Sequence, residues 1–314
     1  MKLISIIVPC FNEEEVLPLY YQEMNHVMEK MKDTQFELLF VDDGSRDGTL
    51  SILKKLHEKD QRCRYISFSR NFGKEAAIYA GLSHAKGDYV GLMDADLQDP
   101  PEMLLEMYDI LKDGEHDCVG TRRIDREGEP VIRSFFSDCF YRVMNKISDV
   151  NIVRGARDYR LMTRRMTDAV LKISERNRFS KGIFEWVGFE TKWLEYHNTE
   201  RAAGETKWSF YKLLLYSIQG ITCFSVSPLY LASGIGAFFC IAAFLFIILI
   251  VVRTFLWGDP TQGWPSLVCI ILMISGIQLL CLGIIGQYLS RTYLETKDRP
   301  LYLVKEESTD KEKR

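Results

Sequence analysis

The 314-residue sequence lacks the features that mark several common classes of binding protein. It contains no Walker A motif, and no GxGxxG follows a predicted strand, so we do not expect a glycine-rich loop to hold nucleotide phosphates. A formal net charge of −3 argues against the strongly basic surface of a general nucleic-acid binder. The eight cysteines form no CxxC pair and no Cys/His spacing typical of a metal site, which indicates reduced, space-filling residues.

Charged residues are almost missing from much of the C-terminal third of the chain. None occurs from position 213 to 252, and Asp259 is the only one from 254 to 290. Two apolar stretches, 228–252 and 265–289, are each long enough to cross a bilayer core, which takes about 20 residues. Because a buried helix of a soluble protein rarely stays uncharged for so long, the sequence predicts two transmembrane helices.

The distribution of positive charge predicts how these helices are oriented. Lys207 and Lys212 precede the first span and several basic residues follow the second, whereas the loop between them has only Arg253 at its edge. Cytoplasmic segments carry an excess of Lys and Arg, so both ends are predicted in the cytoplasm and the loop outside. The apolar run at the N-terminus is short, stops at Pro9 and has no cleavage site. We therefore expect no signal peptide and a cytosolic N-terminal domain.

Strand-like and helix-like patterns alternate through the first 120 residues. The predicted strands are 3–8, 36–41, 65–68, 89–93 and 118–120, and the predicted helices are 13–32, 49–56, 74–84 and 101–111. Asn12 and Asp99 are positioned to cap two of these helices. This order predicts an α/β fold with a parallel sheet covered on both faces, and such sheets bind ligands beyond the carboxyl ends of their strands.

Polar residues follow four successive predicted strands. They are Phe11-Asn12-Glu13, Asp42-Asp43, Ser69-Arg70-Asn71 and Asp94-Ala95-Asp96. Because the carboxyl ends of parallel strands share one edge of a sheet, these segments are expected to lie near one another. The sequence therefore predicts a polar site at that edge.

The acidic pair Asp94 and Asp96 follows the fourth strand. If strand geometry continues, alternation directs Asp94, Asp96 and Gln98 to one face. Three such oxygen ligands suit a hard divalent cation such as Mg²⁺ or Mn²⁺, which could neutralise a diphosphate. A bare DxD is common by chance, and the alternative is a strand end followed by a helix that Asp99 caps.

Three other segments have informative patterns. Residues 131–147 are amphipathic and fit an interfacial membrane helix and an ordinary surface helix equally well. Residues 205–222 are also amphipathic and run directly into the first span, which favours a place at the membrane surface. The tail from Lys305 is highly charged, so it is expected to be disordered.

Four ordered blocks resemble the characteristic blocks of family 2 glycosyltransferases. Three of them, at 8–13, 41–49 and 93–101, are typical of the family as a whole. The fourth, at 201–208 and followed by two spans, is similar to its polyprenyl-phosphate branch. That branch includes dolichol-phosphate mannose synthases and bactoprenol (undecaprenyl-phosphate) glucosyltransferases. The likeness extends over nearly the whole chain, up to about Pro300.

The resemblance implies an α/β GT-A fold, with a Rossmann-like, mostly parallel sheet, followed by amphipathic juxtamembrane helices and two transmembrane helices. The implied parts are a cytoplasmic catalytic domain (1–204), a juxtamembrane helix (205–227), two spans (228–253 and 265–290) with an external loop (254–264), and a cytoplasmic tail (291–314). The implied location is the bacterial cytoplasmic membrane. The implied ligands are a nucleotide-sugar donor, a polyprenyl phosphate acceptor and Mg²⁺ or Mn²⁺.

The resemblance also implies roles for individual residues. By motif match, Asp94, Asp96 and Gln98 form the metal and diphosphate site. The nucleoside pocket is lined by Pro9, Phe11, Glu13 and Asp43, with Asp42 beside it.

Five further residues receive roles in the same way. Arg201 and Lys207 bind phosphates near the membrane, and Thr206 stands where the family usually has Ser, which keeps the hydroxyl. Asp158 matches an acidic position near the sugar and metal, with a structural pairing to Arg157 or Arg160 as the alternative. The candidate contacts to the lipid phosphate are Arg122 and Arg133, and a solvated helix face is an equal alternative for Arg133.

The implied reaction is inverting transfer of a hexose to undecaprenyl or another polyprenyl phosphate, with UDP-glucose as the leading donor. N-acetylhexosamine, aminoarabinose and GDP-mannose stay open as alternatives, as does self-association through the spans. A processive polysaccharide synthase is a second interpretation, but no QxxRW block is present and two helices cannot enclose a polymer. A nonenzymatic membrane scaffold derived from a transferase is a third, although it would have little use for Asp94, Asp96, Arg201 and Lys207 together.

Overall fold

The computed structural model describes residues 1–124, 142, 145–146, 150, 153, 155–196, 223–257 and 263–308. The chain divides into two compact units. Residues 1–220 and 300–314 form the first, which we call the sheet unit, and residues 221–299 form the second, which we call the helical unit.

The sheet unit begins with alternating strands and helices. These are β1 (Lys2–Cys10), α1 (Leu17–Lys30), β2 (Thr34–Asp42), α2 (Thr49–Lys59), β3 (Cys63–Phe68), α3 (Lys74–His84), β4 (Tyr89–Leu92), α4 (Met103–Lys112) and β5 (Cys118–Arg123). The type of every element predicted in this region is confirmed, and α3 has both of its predicted ends. The helices after β1 and β4 begin later than predicted, for reasons that lie in the loops before them.

Further elements follow that the sequence did not indicate. They are β6 (Ala156–Thr163), α5 (Arg164–Leu171), α6 (Ser180–Trp186), β7 (Thr191–Tyr196) and, near the end of the chain, β8 (Val304–Glu307). The described strands form one sheet in the order β7-β5-β6-β4-β1-β2-β3-β8. The pairs β1/β2, β1/β4, β2/β3 and β5/β7 are parallel, and β6 and β8 pair antiparallel with their neighbours. The five predicted strands β1 to β5 therefore run in the same direction, as predicted, and the antiparallel β6 and β8 make the sheet as a whole mixed and mostly parallel.

β1 is buried on both faces, as expected for a central parallel strand. Ile4, Ile6 and Val8 belong to the core cluster that includes buried residues of α1 and α4. Ile7 points to the other face, where α3 packs so closely that a Cβ on Gly81 would lie 2.2 Å from Ile7 Cγ2. Helices thus cover both faces of the sheet, which confirms that expectation.

The segment after residue 300 pairs with the edge of the sheet. Glu306 and Glu307 lie opposite Ser67 and Ile66 of β3, and the Tyr302 ring stacks on Phe68 with ring centroids 4.9 Å apart. The prediction that the tail from Lys305 is disordered is therefore wrong for 305–308. The high charge of this segment predicts disorder, but the open edge of β3 offers backbone hydrogen bonds that order it, and these cannot be inferred from composition.

The helical unit contains α7 (Ser227–Trp257) and α8 (Trp264–Thr296). Both are long and apolar enough to cross a membrane, with candidate spans at Ser227–Phe246 and Met273–Thr296. Large apolar side chains such as Phe238 and Leu279 are exposed along them. A helix that is apolar on all sides is typical of a lipid environment. The predicted boundaries of the spans and the loop between them stay predictions.

Replacing Tyr302 by alanine tests whether the C-terminal strand is an integral part of the sheet unit. Loss of the stacked ring should lower the free energy of unfolding by about 1–2 kcal/mol, a usual value for a partly buried aromatic pair. Thermal unfolding of the detergent-solubilised full-length protein, followed by tryptophan fluorescence, measures this change. Leu303→Ala is the matched control, since the neighbouring Leu303 side chain is 53% exposed. Equal melting temperatures for the two variants would contradict the assignment.

Candidate active site

The carboxyl ends of β1, β2 and β4 lie side by side because these strands pair in parallel register. Cys10 at the end of β1 lies opposite Asp42 at the end of β2, and Ile7 lies opposite Leu92 at the end of β4. The loops that follow these strands therefore meet at one edge, as predicted. Pro9, Phe11 and Glu13 are partly exposed there, and their role in a nucleoside pocket stays a prediction.

The loop after β1 is held by the loop after β2. Asn12 has a left-handed backbone (φ 56°), its Oδ1 accepts from Arg46 N at 2.9 Å, and its own N–H donates to Ser45 Oγ at 2.9 Å. The prediction that Asn12 caps a helix is wrong, since α1 begins at Leu17. The side chain is used to join the two loops, and this delays the start of the helix.

Both acids at the end of β2 hold backbone in place. Asp42 is buried and accepts from Ser45 N at 3.0 Å and from Ser67 Oγ at 2.7 Å. Asp43 accepts from the N–H groups of Phe72 at 2.6 Å and Gly73 at 2.9 Å. Burial raises the pKa of Asp43, and these two N–H groups offset only part of that effect. Both carboxylates therefore stabilise the conformation of the loops at this edge of the sheet.

Gly44 allows the loops after β2 and β3 to approach each other. Its φ is +66°, and a Cβ there would lie 2.4 Å from the carbonyl carbon of Arg70. Any side chain would force the two backbones apart. Gly44 and Asp43 together bind the β3–α3 loop to the β2–α2 loop.

The acidic turn after β4 does not continue as a strand. β4 ends at Leu92, Leu97 has a left-handed φ of 54°, and Asp96 Oδ1 accepts from Gln98 N at 3.2 Å. The expected strand alternation of Asp94, Asp96 and Gln98 is therefore wrong. The residues occupy a turn, in which side-chain direction follows local backbone geometry and not a period of two.

Asp94 and Asp158 converge on the ammonium of Lys74, the first residue of α3. Lys74 Nζ lies 2.7 Å from Asp94 Oδ1 and 2.6 Å from Asp158 Oδ2. The antiparallel register of β4 and β6 explains the meeting. The pairing of the two strands ends with Leu92 opposite Arg160. Asp94 lies two residues after Leu92 and Asp158 two residues before Arg160, so both acids lie at the same end of this strand pair. The alternative that Asp158 pairs with Arg157 or Arg160 is not what the structure shows.

A second lysine lies beside this pair. Lys181 on α6 lies 4.0 Å from Asp158 Oδ1 and donates to Ala156 O at 3.0 Å. The starts of α3 and α6 are held together because the Glu75 carboxylate accepts from Ser180 N at 3.0 Å. Lys74 is next to Glu75 in sequence, and Lys181 is next to Ser180. The contact between Glu75 and Ser180 therefore brings both lysines close to Asp158.

These contacts decide the charges in the site. Burial alone would raise the pKa of Asp158, but Lys74 and Lys181 hold it well below its usual range. Burial likewise opposes charge on Lys74, yet Asp158 and Asp94 raise the pKa of its ammonium. Asp158 and Lys74 are therefore both ionised at neutral pH.

An arginine holds the segment that follows the acidic turn. Arg157 Nε lies 3.2 Å from Asp99 Oδ1, and its Nη2 donates to Gln98 Oε1 at 3.2 Å. The Tyr196 hydroxyl also donates to Asp99, which is buried. Asp99 therefore does not cap the following helix, which starts at Met103 after Glu102. Its carboxylate is used to join β6 and β7 to this segment.

The structure places the remaining predicted residues as follows. Arg122 forms an ion pair with Glu195 of the neighbouring strand β7, and its contact to a lipid phosphate stays a prediction. The residues Arg133, Arg201 and Lys207, most of the amphipathic stretch 131–147 and all of the stretch 205–222 lie outside the described residues.

The donor groups at this edge fit a divalent cation. No cluster of three His, Cys, Asp or Glu side chains with metal-binding geometry occurs within the described residues. Asp94 and Asp158 nevertheless already direct oxygens to one cationic nitrogen at 2.6–2.8 Å, and Asp96 lies in the same turn. Mg²⁺ commonly uses one or two carboxylates, with waters and substrate phosphates as its other ligands. The assignment of Asp94, Asp96 and Gln98 as the ligand set stays a prediction.

The family profile named Glycosyl transferase family 2 matches residues 5–171, which include every residue of the edge from β1 to β6. The chain belongs to this family. It is a glycosyltransferase with a GT-A-like fold, in which a mostly parallel mixed sheet presents an acidic turn at its carboxyl edge.

Relatives are similar over nearly the full length of this glycosyltransferase. Bactoprenol glucosyl transferase of Shigella phage SfX is 41% identical over 96% of this chain and 98% of its own. An Escherichia coli prophage homologue of that name is 40% identical over 96% and 98%. An uncharacterized glycosyltransferase of Bacillus subtilis, YkcC, is 43% identical over 96% and 92%.

A solved structure is similar to part of this chain. Glucosyl-3-phosphoglycerate synthase from Mycobacterium tuberculosis, in complex with Mn²⁺, UDP-glucose and phosphoglyceric acid, is 18% identical. The match covers 70% of this chain and 78% of that one, with a TM-score of 0.46.

Sequence reasoning missed Lys74, Arg157, Lys181 and Tyr196 as parts of this glycosyltransferase site. For Lys74 a signal was present, because it follows Gly73 and opens a predicted helix at the edge where the acids lie. For the other three no local pattern separates them from surface residues. They reach the site because of the register of β6 and the positions of α6 and β7.

Replacing Asp43 by asparagine tests its hold on the β3–α3 loop. An amide has one acceptor oxygen, so either Phe72 N–H or Gly73 N–H must face an NH₂ group, at a cost of about 1–3 kcal/mol. Amide hydrogen exchange at these two residues should become about 5- to 150-fold faster.

Asp42→Asn is the matched control for this test. Its amide can still accept from Ser45 N–H and can donate to the Ser67 hydroxyl, which is also an acceptor. Exchange at Phe72 and Gly73 should then stay as in the wild type. Equal exchange in the Asp43 variant would show that the loop does not depend on this carboxylate.

Proposed function

We propose that this glycosyltransferase transfers glucose from UDP-glucose to a polyprenyl phosphate, with inversion at the anomeric carbon and with a divalent metal ion. The observation that carries the proposal is the similarity to bactoprenol glucosyl transferases over 96% of the chain. Because that similarity includes both apolar helices, the membrane part is shared as well as the sheet. The geometry agrees, since the acidic turn lies at the sheet edge where this fold class binds ligands.

The acceptor needs little activation. A phosphate monoester has a second pKa near 6, so a polyprenyl phosphate is largely a dianion at neutral pH and is already a competent nucleophile. No strong general base is required among the residues of the site. This leaves the departing nucleoside diphosphate as the group whose charge must be stabilised.

The residues at the acidic turn are suited to that task. Asp94 and Asp96, with Asp158 close to Asp94 through their shared contact with Lys74, would hold the metal, which supplies Lewis-acid stabilisation of the diphosphate charge when bound. Lys74 and Lys181 place positive charge at the same point. Charge-assisted hydrogen bonds from such ammonium groups to phosphate oxygens are stronger than neutral ones. Arg201 and Lys207 are proposed to bind phosphates at the membrane side.

The chain path supports a cytoplasmic catalytic unit in the bacterial membrane. The chain leaves the sheet unit before residue 221 and re-enters it after residue 299. If α7 and α8 each cross the bilayer, the two crossings return the chain to its starting side, as the positive charges predict. Holding the site near the headgroups would orient the lipid phosphate for attack.

The proposed donor and acceptor are tested together by incubating the purified protein with undecaprenyl phosphate, Mg²⁺ or Mn²⁺, and labelled nucleotide sugars. We expect label from UDP-glucose to enter the lipid phase, and chelation by EDTA to stop the transfer. The panel contains UDP-N-acetylglucosamine, UDP-aminoarabinose and GDP-mannose as competitors. Transfer from one of these and not from UDP-glucose would replace the proposed donor, and transfer from none would reject the reaction.

Replacing Asp96 by asparagine tests the metal assignment. Loss of a carboxylate ligand should remove several kcal/mol of transition-state stabilisation, which corresponds to about 100-fold or more in kcat/KM. The lipid-phase assay measures it, with membrane fractionation as a check on insertion. Asp109→Asn is the matched control, because Asp109 is 72% exposed on α4 and contacts Lys112. Wild-type turnover in the Asp96 variant would remove this residue from the site.

A further inference from the structure

The ammonium of Lys74 lies between the carboxylates of Asp94 and Asp158 in the described site. It lies 2.7 Å from Asp94 Oδ1, 2.8 Å from Asp94 Oδ2 and 2.6 Å from Asp158 Oδ2. These are carboxylate oxygens that would face a divalent ion. The lysine is also adjacent in sequence to Gly73, whose N–H is held by Asp43.

We propose that Lys74 is an exchangeable internal cation. In the donor-free enzyme it neutralises Asp94 and Asp158, and on arrival of the metal and donor it leaves these carboxylates and binds the donor's diphosphate. This inference rests on the proposed function and adds a diphosphate-binding residue to it.

Simple electrostatics favours the exchange. Mg²⁺ bound to a carboxylate oxygen lies about 2.0–2.1 Å from it. An ammonium that stayed within hydrogen-bond distance of the same oxygens would be only a few ångströms from that ion, and the two positive charges would repel. A metal ion and the ammonium of Lys74 therefore compete for these carboxylate oxygens.

The side chain has the freedom to move. Lys74 is 42% exposed, whereas Asp94 and Asp158 are 27% and 19% exposed. A lysine carries its charge on a flexible four-carbon stem, so its ammonium can move several ångströms without displacing the backbone. The stem starts at the first residue of α3, at the sheet edge that would receive the diphosphate.

The backbone next to Lys74 links the predicted nucleoside pocket to the proposed diphosphate site. Asp43, in the predicted nucleoside pocket, holds Phe72 N–H and Gly73 N–H, directly before Lys74. Glu75, directly after it, holds Ser180. The backbone on both sides of Lys74 is thus fixed, and the movement is confined to its side chain.

The first test uses the wild-type protein, so no variant has to fold. Acetylation of lysines by a water-soluble ester is followed by mass spectrometry with and without Mn²⁺. Mn²⁺ alone should increase the labelling rate of Lys74 several-fold, because it releases the ammonium from the carboxylates, and added UDP should reverse the increase. Lys54 is the internal control, since it pairs with Glu306 at 2.7 Å, away from the acidic turn. An unchanged rate at Lys74 would overturn the proposal.

The second test measures Mn²⁺ binding by electron paramagnetic resonance in the absence of any nucleotide. Lys74→Met removes the competing charge at similar length and should bind Mn²⁺ about tenfold more tightly than the wild type. With Mn²⁺ present, the same variant should bind UDP about tenfold more weakly. Lys74→Arg keeps the charge, so its affinities for Mn²⁺ and for UDP should both stay close to those of the wild type.

Failure of this inference is distinguishable from failure of the proposed function. The Mn²⁺ measurements do not depend on which sugar is transferred or on the lipid acceptor. If Lys74→Met binds Mn²⁺ as the wild type does and the wild type transfers glucose, the exchange is rejected and the proposed function is kept. Lys74 would then only form ion pairs with Asp94 and Asp158. Tighter Mn²⁺ binding with no transfer from any donor would keep the exchange and reject the reaction.

Discussion

The parallel pairing of β1 with β2 and β4 is the constraint on which the candidate site depends. It places the ends of three buried strands side by side, with Cys10 opposite Asp42 and Ile7 opposite Leu92. Ile4, Ile6 and Val8 of β1 pack in the core cluster and Ile7 packs against α3 on the other face, so a slip of one residue would exchange two differently packed sets of side chains and is disfavoured. The polar loops meet at one edge because the apolar strands cannot shift.

That edge is built from opposed charges, which suits a reaction between two anions. Asp94 and Asp158 would repel each other and both substrates if no cation lay between them, and Lys74 and Lys181 supply the compensating charge. The acids of the neighbouring loop have a different task. Asp43 accepts two backbone N–H groups, so an acidic residue at this edge can build the pocket as well as contact a ligand.

The two units are joined at both ends of the helical hairpin. The chain after α8 returns to the sheet unit, where β8 pairs with β3 and Tyr302 stacks on Phe68. The same segment covers an otherwise open sheet edge, which protects it from pairing with other chains.

Local pattern determined much of this protein. Alternating runs predict β1 to β5 and α1 to α4, the chargeless stretches predict α7 and α8, and the short blocks around Asp94 identify the family, because each depends on residues close together in the chain. Long-range contacts decided the rest. Asp158 reaches Asp94 through the antiparallel register of β6, 64 residues later in sequence, and β8 finds its partner in β3 more than 230 residues earlier. In the sequence Lys74 is only the first residue of a predicted helix, and its role depends on Asp94 and Asp158, which the sheet places beside it. Periodicity reports which face of an element is buried, but it carries no information about which distant strand will lie beside it, and the charges of this site depend on that neighbour.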